Sequence, residues 1–221
     1  MNIPTSETVI IPNFIDYKEY KKQYQNTEKC LQKQEAYIKN VERIIAIGDI
    51  HGDYNALLAS LYEGKVINEK GEWIGDNTIV VQVGDILDKG GRGQETSNKP
   101  DDSEWRIILY LEYLQQQAKI HGGDIYLLLG NHEIMNIQGD FRYTTKGTLD
   151  YFGGLDGRRE AFKIGGIVTQ KIACMTNAIV KLGSWVFVHA GIVPDALRNY
   201  KNSNLNKLNK DIRDYLLDNI D

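Results

Sequence analysis

Four short stretches of this chain place metal-competent side chains directly after apolar runs. Gly48–Asp49–Ile50–His51–Gly52–Asp53 follows Ile44–Ile47, and Gly84–Asp85–Ile86–Leu87–Asp88 follows Thr78–Val83. Gly130–Asn131–His132–Glu133 follows Asp124–Leu129, and His189–Ala190–Gly191 follows Trp185–Val188. Asp, Asn and His ligands without thiolates suit Mn, Fe or Zn and disfavour a closed structural zinc. Taken singly, each stretch is a strand running into a polar turn, and a lone histidine there is ordinarily just hydrogen-bonded. The chain has four histidines, however, and three of them stand in these loops. The fourth, His121, suits the C-terminal end of a helix. Two ions roughly 3.5–4 Å apart need a bridging carboxylate, and such pairs clamp phosphate esters for in-line attack by a bound hydroxide. Asp85, alone on its central loop, is the natural bridge.

The elements that must hold these loops follow from apolar patterning. Ile44–Ile47, Thr78–Val83 and Asp124–Leu129 are short, continuous apolar runs of the kind found in strands covered on both faces. In open α/β sheets, ligands sit in the loops beyond the carboxyl ends of such strands. Asn55–Glu63 reads as a helix packing through Leu57, Leu58 and Leu61. Gly64–Asp76 reads as a loop or short hairpin around Trp73, and Gly90–Pro100 as a loop. Glu104–His121 reads as a helix with Ile107, Ile108, Leu111, Leu114 and Ala118 at helical spacing, capped by Asp101 or Ser103 and stopped by Gly122–Gly123. Ile134–Gly154 is expected to be irregular and to cover the site, and Arg158–Gly165 to be a short helix. Ala178–Leu182 and Trp185–Val188 read as a hairpin about Gly183–Ser184. Leu205–Ile220 closes the chain as an amphipathic helix.

At 221 residues the length fits one domain with a sizeable core, and Met1–Asn40 is expected to be a polar, helical extension, with Tyr17–Lys39 helical and outside that core. The net charge of −4 gives no basic nucleic-acid footprint. Cys30 and Cys174 lack metal-type spacing and are expected to be reduced thiols, which points to a cytoplasmic protein. Met1–Phe14 lacks the pattern of a signal peptide, and no apolar run has the length to cross a bilayer, so no membrane partner is expected.

Together the four stretches resemble the ordered motifs of the phosphoprotein phosphatase family of calcineurin-like metallophosphoesterases. The run Gly130-Asn-His-Glu-Ile-Met-Asn-Ile-Gln-Gly-Asp-Phe-Arg-Tyr143 resembles more narrowly its Shewanella-like protein phosphatase branch. The resemblance extends from about Ile44 to the C-terminal helix. It implies an α/β fold, a β-sandwich of mixed sheets flanked by helices over residues 41–221, where strand reading alone suggests a doubly wound sheet. It implies two divalent ions, Mn²⁺ first with Fe or Zn as alternatives, one on Asp49, His51 and Asp85 and the other on Asp85, Asn131 and His189. His132 becomes the general acid, oriented by Asp88, a task that suits imidazole near neutral pH.

Two departures accompany the resemblance. The family continues Asp-Arg-Gly, with the arginine on the substrate phosphate, whereas Asp88 is followed here by Lys89–Gly90–Gly91–Arg92. Lys89 keeps the charge and loses the bidentate fork, so Lys89, Arg92, Arg142 and Asn131 are the expected substrate-phosphate contacts. The family also places a further arginine and a last metal-binding histidine beyond His-Ala-Gly, and no histidine follows His189 here. The expectation is a phosphomonoesterase acting on Ser/Thr or Tyr phosphate in proteins, with uneven metal occupancy and an unpaired sheet edge. The alternatives are a dinucleoside polyphosphate hydrolase, against which Glu133 argues, and a weakly catalytic domain that binds phosphorylated partners.

Overall fold

The computed structural model describes residues 3–24, 30, 34–90, 99–198, 200 and 204–219. Seven strands appear among them: β1 (Tyr37–Ile38), β2 (Ile44–Ile47), β3 (Ile79–Gln82), β4 (Asp124–Leu128), β5 (Thr176–Asn177), β6 (Ile179–Leu182) and β7 (Trp185–Val188). The apolar runs that precede three of the motifs become neighbours, because β2, β3, β4 and β5 lie in that order in one parallel sheet. β1, β6 and β7 form a second, mixed sheet in which β1 runs parallel to β6 and β6 antiparallel to β7.

Side chains alternate across the parallel sheet, as the period of a strand requires. Val80, Ile125 and Leu127 join the large core beneath α2 (Tyr54–Glu63) and α3 (Ser103–Ile120). Ile79, Val81, Tyr126 and Leu128 point the other way and pack on Val180 and Leu182 of the second sheet. Apolar residues on both faces explain why these strands read as unbroken apolar runs. The architecture is the β-sandwich of mixed sheets flanked by helices that the family resemblance implies, and the simple doubly wound sheet is set aside. β7 is the outer strand of its sheet and leaves Trp185 67% and Val186 51% exposed.

Several local expectations are corrected. Tyr17–Lys39 is not one helix, since α1 covers only Tyr17–Gln23, capped by the Asp16 carboxylate, and β1 is extended. Nor does this region lie outside the core, because Val9, Ile11 and Tyr17 are buried and Tyr17 packs edge-on against Trp105 and Phe152. Ile134–Gly154 is irregular only in part, over residues 138–145 and 152–153, and helical on either side. α4 (Asn131–Ile137) buries His132, Glu133, Asn136 and Ile137 at one-turn spacing, and α5 (Lys146–Tyr151) is capped by the Thr145 hydroxyl. The short helix expected at Arg158–Gly165 is shifted to α6 (Gly154–Phe162), and the unforeseen α7 (Ile167–Met175) follows it. Asp101, rather than Ser103, accepts at the start of α3, through the Ser103 N–H at 3.0 Å. The last helices are α8 (Pro194–Arg198) and α9 (Leu205–Leu216).

The cysteines are also corrected, since Cys30 and Cys174 form a disulfide across a sequence separation of 144. Their distance along the chain is no guide, because the N-terminal segment returns over α7, where Cys174 sits. The expectation of reduced thiols, and with it the support for a cytoplasmic protein, is withdrawn. Among the described residues, no helix is long and apolar enough to cross a membrane.

Candidate metal centre

The three parallel strands deliver their loops to one end of the sheet, and the backbone there is fastened loop to loop. Ile50 and His51 donate to the Asp85 carbonyl at 3.0 and 2.9 Å, and Gly52 donates to that of Ile86 at 2.8 Å. So tight a turn puts His51, Asp85 and Asp88 at φ of 47°, 55° and 68°. Non-glycine residues in that region are uncommon, and they concentrate at functional sites. Gly130 is required by close approach, because a Cβ there would lie 2.1 Å from Asp85 Oδ1. Gly84 combines a φ of 103° with a Cβ position 2.9 Å from His189 Nδ1.

The Asp85 carboxylate is the hub. Its Oδ2 lies 3.4 Å from His189 Nε2 and 3.9 Å from His51 Nε2, while its Oδ1 accepts the His132 N–H at 2.9 Å. His51 Nε2 is also 3.7 Å from Asp49 Oδ2, and His189 Nε2 is 2.9 Å from Asn131 Oδ1. In both His51 and His189, Nδ1 meets a backbone carbonyl, that of Leu87 at 3.1 Å and of Val83 at 2.9 Å. A carbonyl only accepts, so Nδ1 carries the proton in both rings and Nε2 is the atom that faces the centre, the arrangement typical of metal-ligating histidine, with Asn131 Oδ1 beside it in His189. Two donor sets are spaced to hold an ion: Asp49, Asp85 and His189, and His51, Asp85 and His132. Asp85 is common to both.

His132 is bound differently. Its Nδ1 faces Asp88 Oδ2 at 2.9 Å, and its Nε2 lies 4.0 Å from Asp85 Oδ2. The ring meets that of Tyr143 at 5.1 Å and that of His51 at 4.7 Å. Asp88 is fully buried and also accepts from Asn136 Nδ2 at 2.8 Å and from the Thr144 hydroxyl at 2.7 Å.

Sequence reasoning passed over the residues that support this centre. Glu133, 1% exposed, accepts four backbone N–H groups: those of Asp85, Ile86 and Leu87 in one loop, and that of Gly130 in the next. Burial pushes its carboxyl up to about 7, with these N–H donors opposing the rise. The bond from Gly130 to Glu133, three residues on, is half of a capping box, so the spacing was a usable signal. Arg158 and Glu104 are equally buried and pair at 2.8 Å, yet in the sequence each looks like an ordinary helix-surface charge.

Two of the basic residues expected at a substrate phosphate are paired with carboxylates. Lys89 turns its Nζ to Asp101 Oδ2 at 3.5 Å. Arg142 grips Asp140 through Nε at 3.0 Å and Nη2 at 2.7 Å, at an exposed position. Arg92 lies outside the described residues.

The comparisons with known proteins agree with this geometry. The profile of the family described as calcineurin-like phosphoesterase matches residues 42–219, which takes in all four motif loops. Shewanella-like protein phosphatase 2 of Arabidopsis thaliana is 29% identical over 217 residues, covering 79% of this chain and 52% of that protein. Shewanella-like protein phosphatase 1 of Plasmodium berghei is 34% identical over 152 residues, covering 68% of this chain and 39% of that protein. Among solved structures, the cold-active protein-tyrosine phosphatase of a psychrophile Shewanella sp. superposes with a TM-score of 0.69 at 26% identity, covering 86% of this chain and 54% of that one. The chain therefore spans about half the length, or less, of these relatives. With the hub on Asp85, the three parallel strands behind it and a profile match that runs through every motif loop, this chain belongs to the calcineurin-like phosphoesterase family.

Proposed function

We propose that the chain carries the metal centre of a phosphoprotein phosphatase, holding two divalent ions and hydrolysing phosphomonoesters on proteins. The observation that carries this reading is the placement of Asp85 Oδ2 between two histidines, each with its Nε2 turned inward by a carbonyl at Nδ1. The donor set of carboxylate, amide oxygen and imidazole fits Mn²⁺, Fe or Zn. By the family resemblance Asp49, His51 and Asp85 would hold one ion and Asp85, Asn131 and His189 the other, whereas donor spacing alone groups Asp49 with His189 and His51 with His132 about the same Asp85. When bound, such a pair neutralises phosphate charge and makes water a nucleophile near neutral pH.

The chain's own residues supply the rest. Asp85 fixes the spacing of the two positions, and Asn131 offers a neutral oxygen to the one nearer His189. His132 keeps Nε2 on the side of the centre, with Nδ1 tied to Asp88, so it can deliver a proton to the departing ester oxygen. Asp88 accepts that Nδ1–H and fixes the orientation of the ring. Arg142 and Lys89 reach a substrate phosphate only by releasing Asp140 and Asp101.

The test is phosphate release by protein stripped with a chelator and reloaded with Mn²⁺. Phosphotyrosine, phosphoserine and phosphothreonine peptides are offered beside a dinucleoside tetraphosphate. Metal-dependent release from a phosphopeptide supports the reading. Cleavage of the dinucleotide alone transfers the chain to nucleotide hydrolysis, and binding of phosphopeptide without release makes it a recognition domain.

A further inference from the structure

The acid proposed above is held by a buried polar chain with a fixed direction. Arg158, from α6, is fully buried, and its guanidinium stacks over the Phe162 ring at 4.4 Å. It donates through Nε to Asn136 Oδ1 at 2.8 Å and through Nη1 to Glu104 Oε2 at 2.8 Å. A guanidinium has no acceptor, so it obliges Asn136 to present its oxygen to Arg158 and its NH₂ to the other side. There Asn136 Nδ2 donates to Asp88 Oδ2 at 2.8 Å and to the His132 carbonyl at 2.9 Å.

Asp88 thereby meets three donors, Asn136, the Thr144 hydroxyl and His132 Nδ1, with the Arg158 guanidinium beside it as ion-pair partner. Glu104 completes the cage by accepting the Asp88 N–H at 2.8 Å. Arg158 Nη2, without a hydrogen-bond partner among the described residues, faces Asp88 Oδ1 at 3.6 Å. The cation at the root can only donate, so it sets the direction in which the hydrogen bonds run from Arg158 through Asn136 to Asp88.

We propose that Arg158 is a positioning residue for leaving-group protonation, acting through Asn136 and Asp88 to hold His132 with Nδ1 as donor and Nε2 toward the ester oxygen. The inference rests on the reading of His132 as the acid and adds the group that aims it. The proton passes from Nε2 to the ester oxygen as the P–O bond breaks, and Arg158 touches neither.

The experiment compares Mn²⁺-loaded wild type with Arg158→Lys and Arg158→Met on two substrates. Phenyl phosphate needs a proton on its leaving oxygen, whereas 4-nitrophenyl phosphate does not. Lysine keeps the charge and loses the fork that holds Glu104 and Asn136 together. Both variants should lose about 10–100-fold in kcat on phenyl phosphate and less than about threefold on the nitrophenyl ester, with KM and bound Mn²⁺ unchanged. Asn136→Ala cuts the chain at its middle and keeps the Arg158–Glu104 pair, so it carries the same prediction if the Arg158 variants do not fold. Lys171→Met is the control for a merely structural loss, because Lys171 is a buried cation paired with Glu112 at 2.8 Å outside this network. It should lower stability without skewing the two substrates. An equal fall on both esters in the Arg158 variants, or no fall, overturns the positioning role alone. Failure of the wild type to hydrolyse either ester overturns the phosphatase reading together with it.

Discussion

Glu133→Ala should damage folding and metal binding at once, although Glu133 is placed among no metal ligands. Its Oε2 accepts the N–H groups of Asp85 at 2.9 Å and Gly130 at 2.8 Å, and its Oε1 those of Ile86 at 3.0 Å and Leu87 at 3.2 Å. Alanine leaves all four donors buried. Each unpaired buried donor costs about 1–3 kcal/mol. A water admitted to the vacated space could serve two of them, so the expected loss is about 2–6 kcal/mol. That is a large part of the roughly 5–15 kcal/mol by which a domain is stable. The same N–H groups fix the Asp85 loop against the start of α4, and loss of such outer support typically costs about 10–100-fold in metal affinity. Urea denaturation of the metal-free protein, followed by calorimetric titration with Mn²⁺, measures both. A loss under about 1 kcal/mol with unchanged Mn²⁺ affinity would refute the claim that Glu133 fastens the two loops.

Three further outcomes follow from particular contacts. His132→Ala should lower the rate by about 10²–10⁴-fold on esters with poor leaving groups and much less on nitrophenyl phosphate, with metal retained; loss of metal instead would make His132 a ligand. In metal-free protein, burial pushes the Glu133 carboxyl up to about 7 from its ordinary 4.5, so the proton-linked part of its stabilisation is complete below 4.5 and is lost as pH rises through about 7. A shift of that size is worth about 3 kcal/mol, and the upward shifts of Glu104 and Asp124 act in the same sense, so the Tm in chelator should fall as the solution is made alkaline. A Tm that rises through neutrality would contradict it. Reducing Cys30–Cys174 should cost about 2–4 kcal/mol in denaturant stability, and a Cys30→Ser variant should show the same loss and no response to reductant.

Much of the centre was legible in the sequence because two simple codes coincide there. A parallel strand buried on both faces reads as an unbroken apolar run, and a ligand loop breaks that run with Gly, Asp and His. β2, β3 and β4, with Asp49, His51, Asp85, Asn131 and His132, follow both codes, His189 follows the exposed outer strand β7 and keeps only the second, and the structure brings these side chains together. The supporting layer was hidden because a buried charge has no signature of burial in its own residue type. Arg158 and Glu104 sit in helices whose other charges face water, so only the fold reveals that they meet. β1 and β5 are two residues long and carry no periodicity. α4 and α5 are short enough that their stability comes from packing and caps rather than from propensity. The disulfide depended on where the N-terminal segment returns, which the cysteine spacing does not encode.

The central claim is that Asp85 serves two ions at once, and the most direct measurement is metal stoichiometry in Asp85→Asn beside wild type. Both proteins are stripped with chelator, titrated with Mn²⁺ by calorimetry and assayed for phosphate release from phenyl phosphate. Wild type should bind two equivalents, with the site on Asn131 and His189 the weaker because one of its ligands is a neutral amide oxygen. Asp85→Asn should lose both events and the phosphate release together, since one side chain is withdrawn from two positions. Retention of two Mn²⁺ by Asp85→Asn would contradict the bridge, and with it the two-metal account of this site.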